Sequence, residues 1–223
     1  MVPTHDEREH LPDCLAALAD AAARAPLPVH VTVVADSCRD DTAAVAEAAG
    51  ATVVTIAARN VGAARAAGFA RVARPGRWLA TTDADTRVPR TWFTDQLAQR
   101  ADVVAGEVDV LDWTSWPTWL PHLHRARYSR ERGHVHGANL AFTAEAYLAV
   151  GGFPALPVHE DVRLVEHLRA AGFRVVHPDT APVVTSARRT SRCTGGFATH
   201  LTDLAEAHGA VLRARRPSRA ARP

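Results

Sequence analysis

The sequence predicts an α/β fold: one mostly parallel sheet flanked by helices, in a single domain. Two observations lead there. In the first 82 residues, short β-branched runs alternate with alanine-rich segments of helical spacing, and a strand–helix–strand order of this kind requires a parallel sheet covered on both faces. Acidic residues then recur where the apolar runs stop: Asp36 after VHVTVVA, and Asp83 with Asp85 after RWLATT. In a parallel sheet those are the carboxyl ends of strands, where connecting loops converge and ligands sit.

The elements follow in order. Leu11, Cys14, Leu15, Leu18 and Ala22 repeat at helical spacing, with Pro12 in the first turn, where its missing N–H does no harm. VHVTVVA (29–35) is rich in β-branched residues and reads as a buried strand. Asp40, Asp41 and Thr42 open the helix DTAAVAEAAG, whose Gly50 sits where a left-handed cap belongs. TVVTIA (52–57) is a second strand, NVGAARAAGFARV (60–72) a helix, and RWLATT (77–82) a third strand. Further on, DVVAGEVDV (102–110) and GANLAFT (137–143) read as strands. AEAYLAVGGF is a short helix ending at a glycine pair, HEDVRLVEHLRAAG an amphipathic helix, and FRVVH and PVVTS strands. The segment carrying Trp113, Trp116, Trp119 and Tyr128 matches no element; it reads as a core patch or lid. The expected organisation is a ligand-binding half over 1–110, a second half of the same domain over 111–201, and a helix end with a basic tail over 202–223.

Composition narrows the function. With 223 residues and 47% hydrophobic content, the chain buries a sizeable core as one domain or as one domain with a long excursion. Net charge is +2, and all 26 basic residues are arginine, so any phosphate contact comes from arginine, histidine or backbone N–H. The arginine-rich end from Arg213 to Arg222 reads as a solvated, frayed terminus, and no nucleic-acid partner is expected. The cysteines Cys14, Cys38 and Cys193 form no C-x-x-C pattern and suit a reducing compartment. No apolar run reaches the roughly 20 residues that span a bilayer, and no signal-peptide core is visible. The expected location is the cytoplasm, with peripheral membrane contact left open. The twelve histidines fall into no zinc-binding pattern.

Two carboxylate groups carry the chemistry. Asp83-x-Asp85 is either a capped turn before Pro89 or a pair of hard oxygen donors for Mg²⁺ or Mn²⁺, which in turn neutralises a diphosphate. Glu160 and Asp161 open a helix, where they either complement its dipole or supply a general base.

The ordered set VPTHDERE, VVADSCRDDTA, NVGAARAAG, TTDADTRVP, HGANLAFTAEAYLAVGGF, HEDVRLVEHLRAAGFRV and VVTSARR resembles the family-2 glycosyltransferases of GT-A (Rossmann-like) fold, nearly to residue 201. The resemblance implies a metal-dependent, inverting transfer of a sugar from a nucleotide-sugar donor to a hydroxyl acceptor, whether sugar, lipid or small molecule. It places Pro3 and Glu7 in a loop against the nucleoside, with Asp6 where an asparagine is usual. It assigns Asp36, with Asp40 as a second candidate, to the base or ribose, and Arg65 to the neighbourhood of the diphosphate. Asp83 would face ribose and metal, and Asp85 would be the direct metal ligand. Asp161 would be the general base, tuned by Glu160 or His159. Where some members carry a late histidine ligand, this chain has Thr185, Ser186 and Arg188, and Arg188 or Arg189 would face the diphosphate instead. Trp116 and Asn139 are the expected acceptor contacts. Members usually carry several apolar residues before the V-P pair, so a start upstream of Met1, or a compromised copy, is also expected. Two alternatives remain: a nucleotidyltransferase of nucleotide-sugar metabolism, disfavoured because THDERE is no glycine-rich basic loop, and a non-catalytic nucleotide-binding protein. A dinucleotide oxidoreductase is disfavoured by the lack of G-x-G-x-x-G after the first strand.

Overall fold

The computed structural model describes residues 1–110, 112–128, 133–190 and 196–214. Cys193 and the arginine-rich end past residue 214 lie outside the described residues. The chain forms two compact units: residues 1–110 with 133–186 make the first, and 112–128, 187–190 and 196–214 belong to the second. The chain leaves the first unit near residue 111 and is back in it at residue 133.

The first unit carries the expected alternation as β1 (Val2–Thr4), α1 (Leu11–Ala22), β2 (Thr32–Asp36), α2 (Thr42–Ala48), β3 (Thr52–Ile56), α3 (Val61–Ala70) and β4 (Trp78–Thr81). Strands β1, β2 and β3 pair in parallel, with Val2 opposite Val33 and Thr32 opposite Thr52. The Met1 amino group donates to the Ala80 carbonyl at 2.8 Å, and the Thr82 N–H donates to the Met1 carbonyl at 3.3 Å, the bonding pattern of a parallel pair. Strand β1 therefore has neighbours on both sides, and the carboxyl ends of β1, β2, β3 and β4 face the same edge.

After β5 (Thr86–Arg87) and α4 (Trp92–Ala98), the expected strand 102–110 appears as two, β6 (Val103–Ala105) and β7 (Val108–Val110). The break has a steric cause. A Cβ on Gly106 would lie 2.7 Å from Asn139 Cγ, so the Asn139 side chain occupies the space a continuous strand with a side chain there would need. Strand β6 then joins an antiparallel neighbour, β8 (Leu140–Thr143), which also pairs with β4, while β9 (Val175–Val176) covers its other side in parallel. Strand β7 leaves for a small sheet with β10 (Val183–Thr185) and β5.

Helices cover both faces, as the alternation requires. On one, Leu11, Cys14, Leu15 and Leu18 of α1 and Ala46 of α2 pack with Val2 and Val33. On the other, Phe69 of α3 and residues of α6 (Ala144–Ala149) and α7 (Glu160–Ala170) pack on β6 and β8. There Phe69, Phe142, Tyr147 and Phe153 form an aromatic cluster with ring centroids 5.1–6.0 Å apart.

The second unit contains α5 (Leu120–Tyr128) and α8 (Phe197–Ala214). The tryptophan segment finds its partner here. Trp113 and Phe197 both pack on the buried His124 ring, and Trp119 lies 4.8 Å from the His208 ring. Among the described residues no helix is long and apolar enough to cross a membrane.

Candidate active site

The site forms where β1, β2 and β4 end. Thr4 closes β1, and the loop after it turns through Asp6 in a left-handed conformation (φ 53°). Glu7 is buried. Its carbonyl accepts from His10 and Leu11, starting α1, while its own N–H donates to Thr42 Oγ1 at 2.8 Å. The Asp6 carboxylate accepts from the N–H of Arg39 at 2.6 Å, and the Asp40 carboxylate accepts from the N–H groups of Arg8 and Thr42 and from the Thr42 hydroxyl. For Asp40, burial alone would raise the carboxyl, but the Thr42 and Arg8 bonds outweigh it and hold it below the usual range. Among the described residues, Asp6, Cys38 and Asp40 are the three metal-capable side chains whose ligand atoms converge, within 4.8 Å of one another. Their internal bonds stitch the loop after β1 to the loop after β2.

Asp36 ends β2 with its side chain turned into the protein, 4% exposed. Oδ1 accepts from the N–H groups of Ala58 and Arg59 and from Ser37 Oγ, and Oδ2 accepts from the N–H of Asn60, all at 2.8–2.9 Å. Burial alone would push this carboxyl up; the backbone N–H groups and the Ser37 hydroxyl outweigh it and hold it below the usual carboxylate range. The residue expected to meet base or ribose thus spends its oxygens on the loop that starts α3. Asn60 in turn caps α3 by accepting from Ala63 N–H, and the Gly62 N–H donates to the Leu156 carbonyl. The first turn of α3 is therefore closed by protein, not open to a phosphate.

Arg65 stands one turn further along α3, 2% exposed. Nε donates to Glu160 Oε1 at 2.9 Å, Nη2 to Asp83 Oδ1 at 2.6 Å, and Nη1 to Thr81 Oγ1 and to the Gly137 carbonyl at 3.1 Å. Burial alone would lower the guanidinium pKa, but Asp83, Glu160 and Asp161 outweigh it and raise it, so the group is always charged. Burial pushes the Glu160 carboxyl above its usual range, with Arg65 opposing and Asp161 adding to the rise. Gly137 fits because it has no side chain: a Cβ there would lie 2.6 Å from Arg65 Cζ.

Asp83 is the open member of this group, its side chain 38% exposed. Asp85 is half-buried, and its Oδ1 lies 3.4 Å from the hydroxyls of Thr86 and Thr185. Thr185 thus lies beside Asp85, in the segment where some family members carry a late histidine. The two carboxylates suit Mg²⁺ or Mn²⁺, since such ions take hard oxygens, keep several waters and complete their shell with substrate phosphates. At the other end of the group, Asp161 Oδ2 accepts from the Gly137 N–H at 2.6 Å, and Oδ1 from its own helix at the Val162 N–H. His159 precedes Glu160 and Asp161 in a left-handed turn (φ 61°) that starts α7.

The two expected acceptor contacts, Asn139 and Trp116, are both buried. Asn139 is 2% exposed; its Oδ1 accepts from Trp92 Nε1, and its Nδ2 donates to the carbonyls of Glu107 and Ala181. It is a core bracket with its polar atoms engaged. Trp116 is 6% exposed in the second unit, its indole N–H bonded to the Ala187 carbonyl and its ring covered by the Arg189 guanidinium at 4.9 Å. Arg188 also belongs to the second unit. Pro3 lies buried within β1. Thr81 and Gly137, which both bind Arg65, carry no signal in the sequence beyond the glycine of HGAN, because one is a strand threonine and the other acts through its backbone.

The family model described as glycosyl transferase family 2 matches residues 1–152. No curated protein matches the sequence. Among solved structures, the fold is similar to that of mannosyltransferase PcManGT from Pyrobaculum calidifontis in complex with GDP-Man and Mn²⁺ (TM-score 0.67, 17% identity, 96% of this chain and 74% of that one). It is also similar to S. aureus TarS 1–349 in complex with UDP-GlcNAc (TM-score 0.66, 15% identity, 92% and 64%). A third is glucosyl-3-phosphoglycerate synthase from Mycobacterium tuberculosis in complex with Mn²⁺ and UDP-glucose (TM-score 0.58, 16% identity, 96% and 77%). The chain spans less than two thirds of the TarS structures it matches.

Proposed function

The chain belongs to glycosyl transferase family 2, and from that premise we propose that it transfers a sugar from a nucleotide-sugar donor to a hydroxyl acceptor, with Asp83 and Asp85 holding a divalent cation and Asp161 acting as general base. The observation that carries the reading is the single hydrogen-bonded group that joins Asp83 at the end of β4 to Asp161 at the start of α7, through Arg65 and Gly137. Structural neighbours crystallised with GDP-Man, UDP-GlcNAc or UDP-glucose, two of them with Mn²⁺, support both the donor class and a divalent ion.

The chemistry follows from the residues. Asp85 and Asp83 would hold a divalent cation, which would supply positive charge to neutralise a departing nucleoside diphosphate. Asp161 accepts the proton of the acceptor hydroxyl as its oxygen bonds to the anomeric carbon; the bond from that carbon to the diphosphate breaks, and the configuration inverts. Two short N–H bonds orient Asp161 for this, and a general base gains most from a fixed orientation.

The test is a panel of UDP- and GDP-sugars assayed for Mn²⁺-dependent hydrolysis or transfer. Asp85→Ala is expected to abolish Mn²⁺-dependent nucleoside diphosphate binding. Asp161→Asn is expected to keep that binding and lower kcat by about 10²–10⁴-fold. Unchanged metal-dependent binding in the first, or normal turnover in the second, removes the corresponding assignment.

A further inference from the structure

Resting on that reading, we propose that Arg65 is a positioning residue rather than a contact to the donor phosphates, and that it holds the donor-side carboxylate Asp83 and the base Asp161 in one frame by gripping Gly137 between them. The geometry points to this in three ways. Nε, Nη1 and Nη2 all donate to protein, and the side chain is buried, so no face of the guanidinium is left for a diphosphate. The peptide units of Gly137 serve both ends of the site: its carbonyl accepts from Arg65 and its N–H donates to Asp161. Glu160, directly before Asp161, is held by the same guanidinium, so the first turn of α7 is fixed at two successive residues.

The three elements that meet here come from distant parts of the chain: α3, the end of β4 and the start of α7. A planar cation with five N–H groups can bracket all of them at once, whereas an ammonium on a flexible stem engages them as a point charge. The absence of a Cβ at Gly137 is part of the device, because the guanidinium lies against that position. A consequence is that positive charge facing the diphosphate would come from elsewhere, such as a cation that Asp85 and Asp83 would hold.

The experiment compares wild type with Arg65→Lys, Thr81→Val and Asp161→Asn. The first readout is the amide resonance of Gly137 in ¹H–¹⁵N spectra. A 2.6 Å bond to a carboxylate displaces it downfield, and Asp161→Asn is expected to move it back. If Arg65 positions Gly137, Arg65→Lys moves that resonance too, and Thr81→Val, which keeps the charge, moves it less. The second readout is kinetic: with a turned-over nucleotide sugar and Mn²⁺, Arg65→Lys lowers kcat by about 10²-fold with donor KM little changed, the cost of a misplaced base. An unmoved Gly137 resonance in folded Arg65→Lys overturns the proposal, as does a raised donor KM at unchanged kcat, which would make Arg65 a donor contact. If wild type turns over no nucleotide sugar while the resonances shift as expected, the transfer reading fails and the positioning role stands.

Discussion

Replacing Asp36 with asparagine separates a loop-holding carboxylate from a ligand-binding one. The native side chain takes three backbone N–H groups and one hydroxyl at 2.8–2.9 Å while almost wholly buried. Asparagine keeps the shape but loses the charge and presents an NH₂ group to at least one of those N–H donors. Bonds to a charged acceptor are worth about 1.5–3 kcal/mol against about 1 for a neutral one, and a buried donor left unpaired costs about 1–3 kcal/mol. The expected loss for Asp36→Asn is therefore about 3 kcal/mol, or roughly 6–12 °C in Tm for a chain of this size. The assay is urea unfolding of wild type and variant from neutral to acid pH. Because the folded carboxyl sits below its ordinary value of 3.8, its contribution is complete above that value and is lost as pH falls through the folded one. The gap between the two proteins should accordingly close in acid. A loss under about 1 kcal/mol, or a gap that stays constant in acid, would refute the reasoning. Donor affinity lost at unchanged stability would instead make Asp36 a ligand contact.

Two further outcomes follow from packing. Gly62→Ala places a Cβ 2.7 Å from Leu156 N and 2.8 Å from Leu156 O, backbone atoms that cannot swing aside, so it should lower the urea midpoint by the equivalent of about 1–3 kcal/mol. A wild-type midpoint would mean the 154–156 segment does not close α3. Cys14 is 1% exposed, donates to the Asp83 carbonyl at 3.3 Å, and burial pushes its thiol up to about 12. Mass spectrometry after treatment with a maleimide should find Cys14 unmodified in the native protein and modified only in denaturant. Native labelling of Cys14 as fast as that of half-buried Cys38 would contradict the packing of α1 against the site.

Much of the first unit was legible because its signals are local. The β-branched runs of β2 and β3 need no distant information to read as strands, and Gly50 takes the left-handed cap (φ 79°) that its position after an alanine-rich helix predicts. The segment 102–110 was not legible in the same way. Its composition favours one strand, and only the side chain of Asn139, about 30 residues away, splits it into β6 and β7. The helix α5 escaped for a similar reason, since its buried face is completed by contacts of His124 with Phe197 and His200 of α8.

For the site, residue types at element ends pointed to candidates: Asp36, Asp83, Asp85, Glu160 and Asp161 sit where strands stop or start or a helix begins, and Arg65 lies one turn inside α3. The sequence alone determined that carboxylates capable of metal and acid–base chemistry line the edge of an α/β sheet, because strand ends and charge are written locally. Only the tertiary structure decided what each oxygen and nitrogen touches. It turned Asp36 and Asn139 inward to saturate backbone and indole groups, and it enclosed Arg65 between two carboxylates. It also made Gly137, a residue without a side chain, the link between Asp83 and Asp161. The reason is physical: a buried charge or amide is stable only with its partners in place, and those partners come from wherever the fold brings backbone N–H and C=O groups, which no residue-type pattern records.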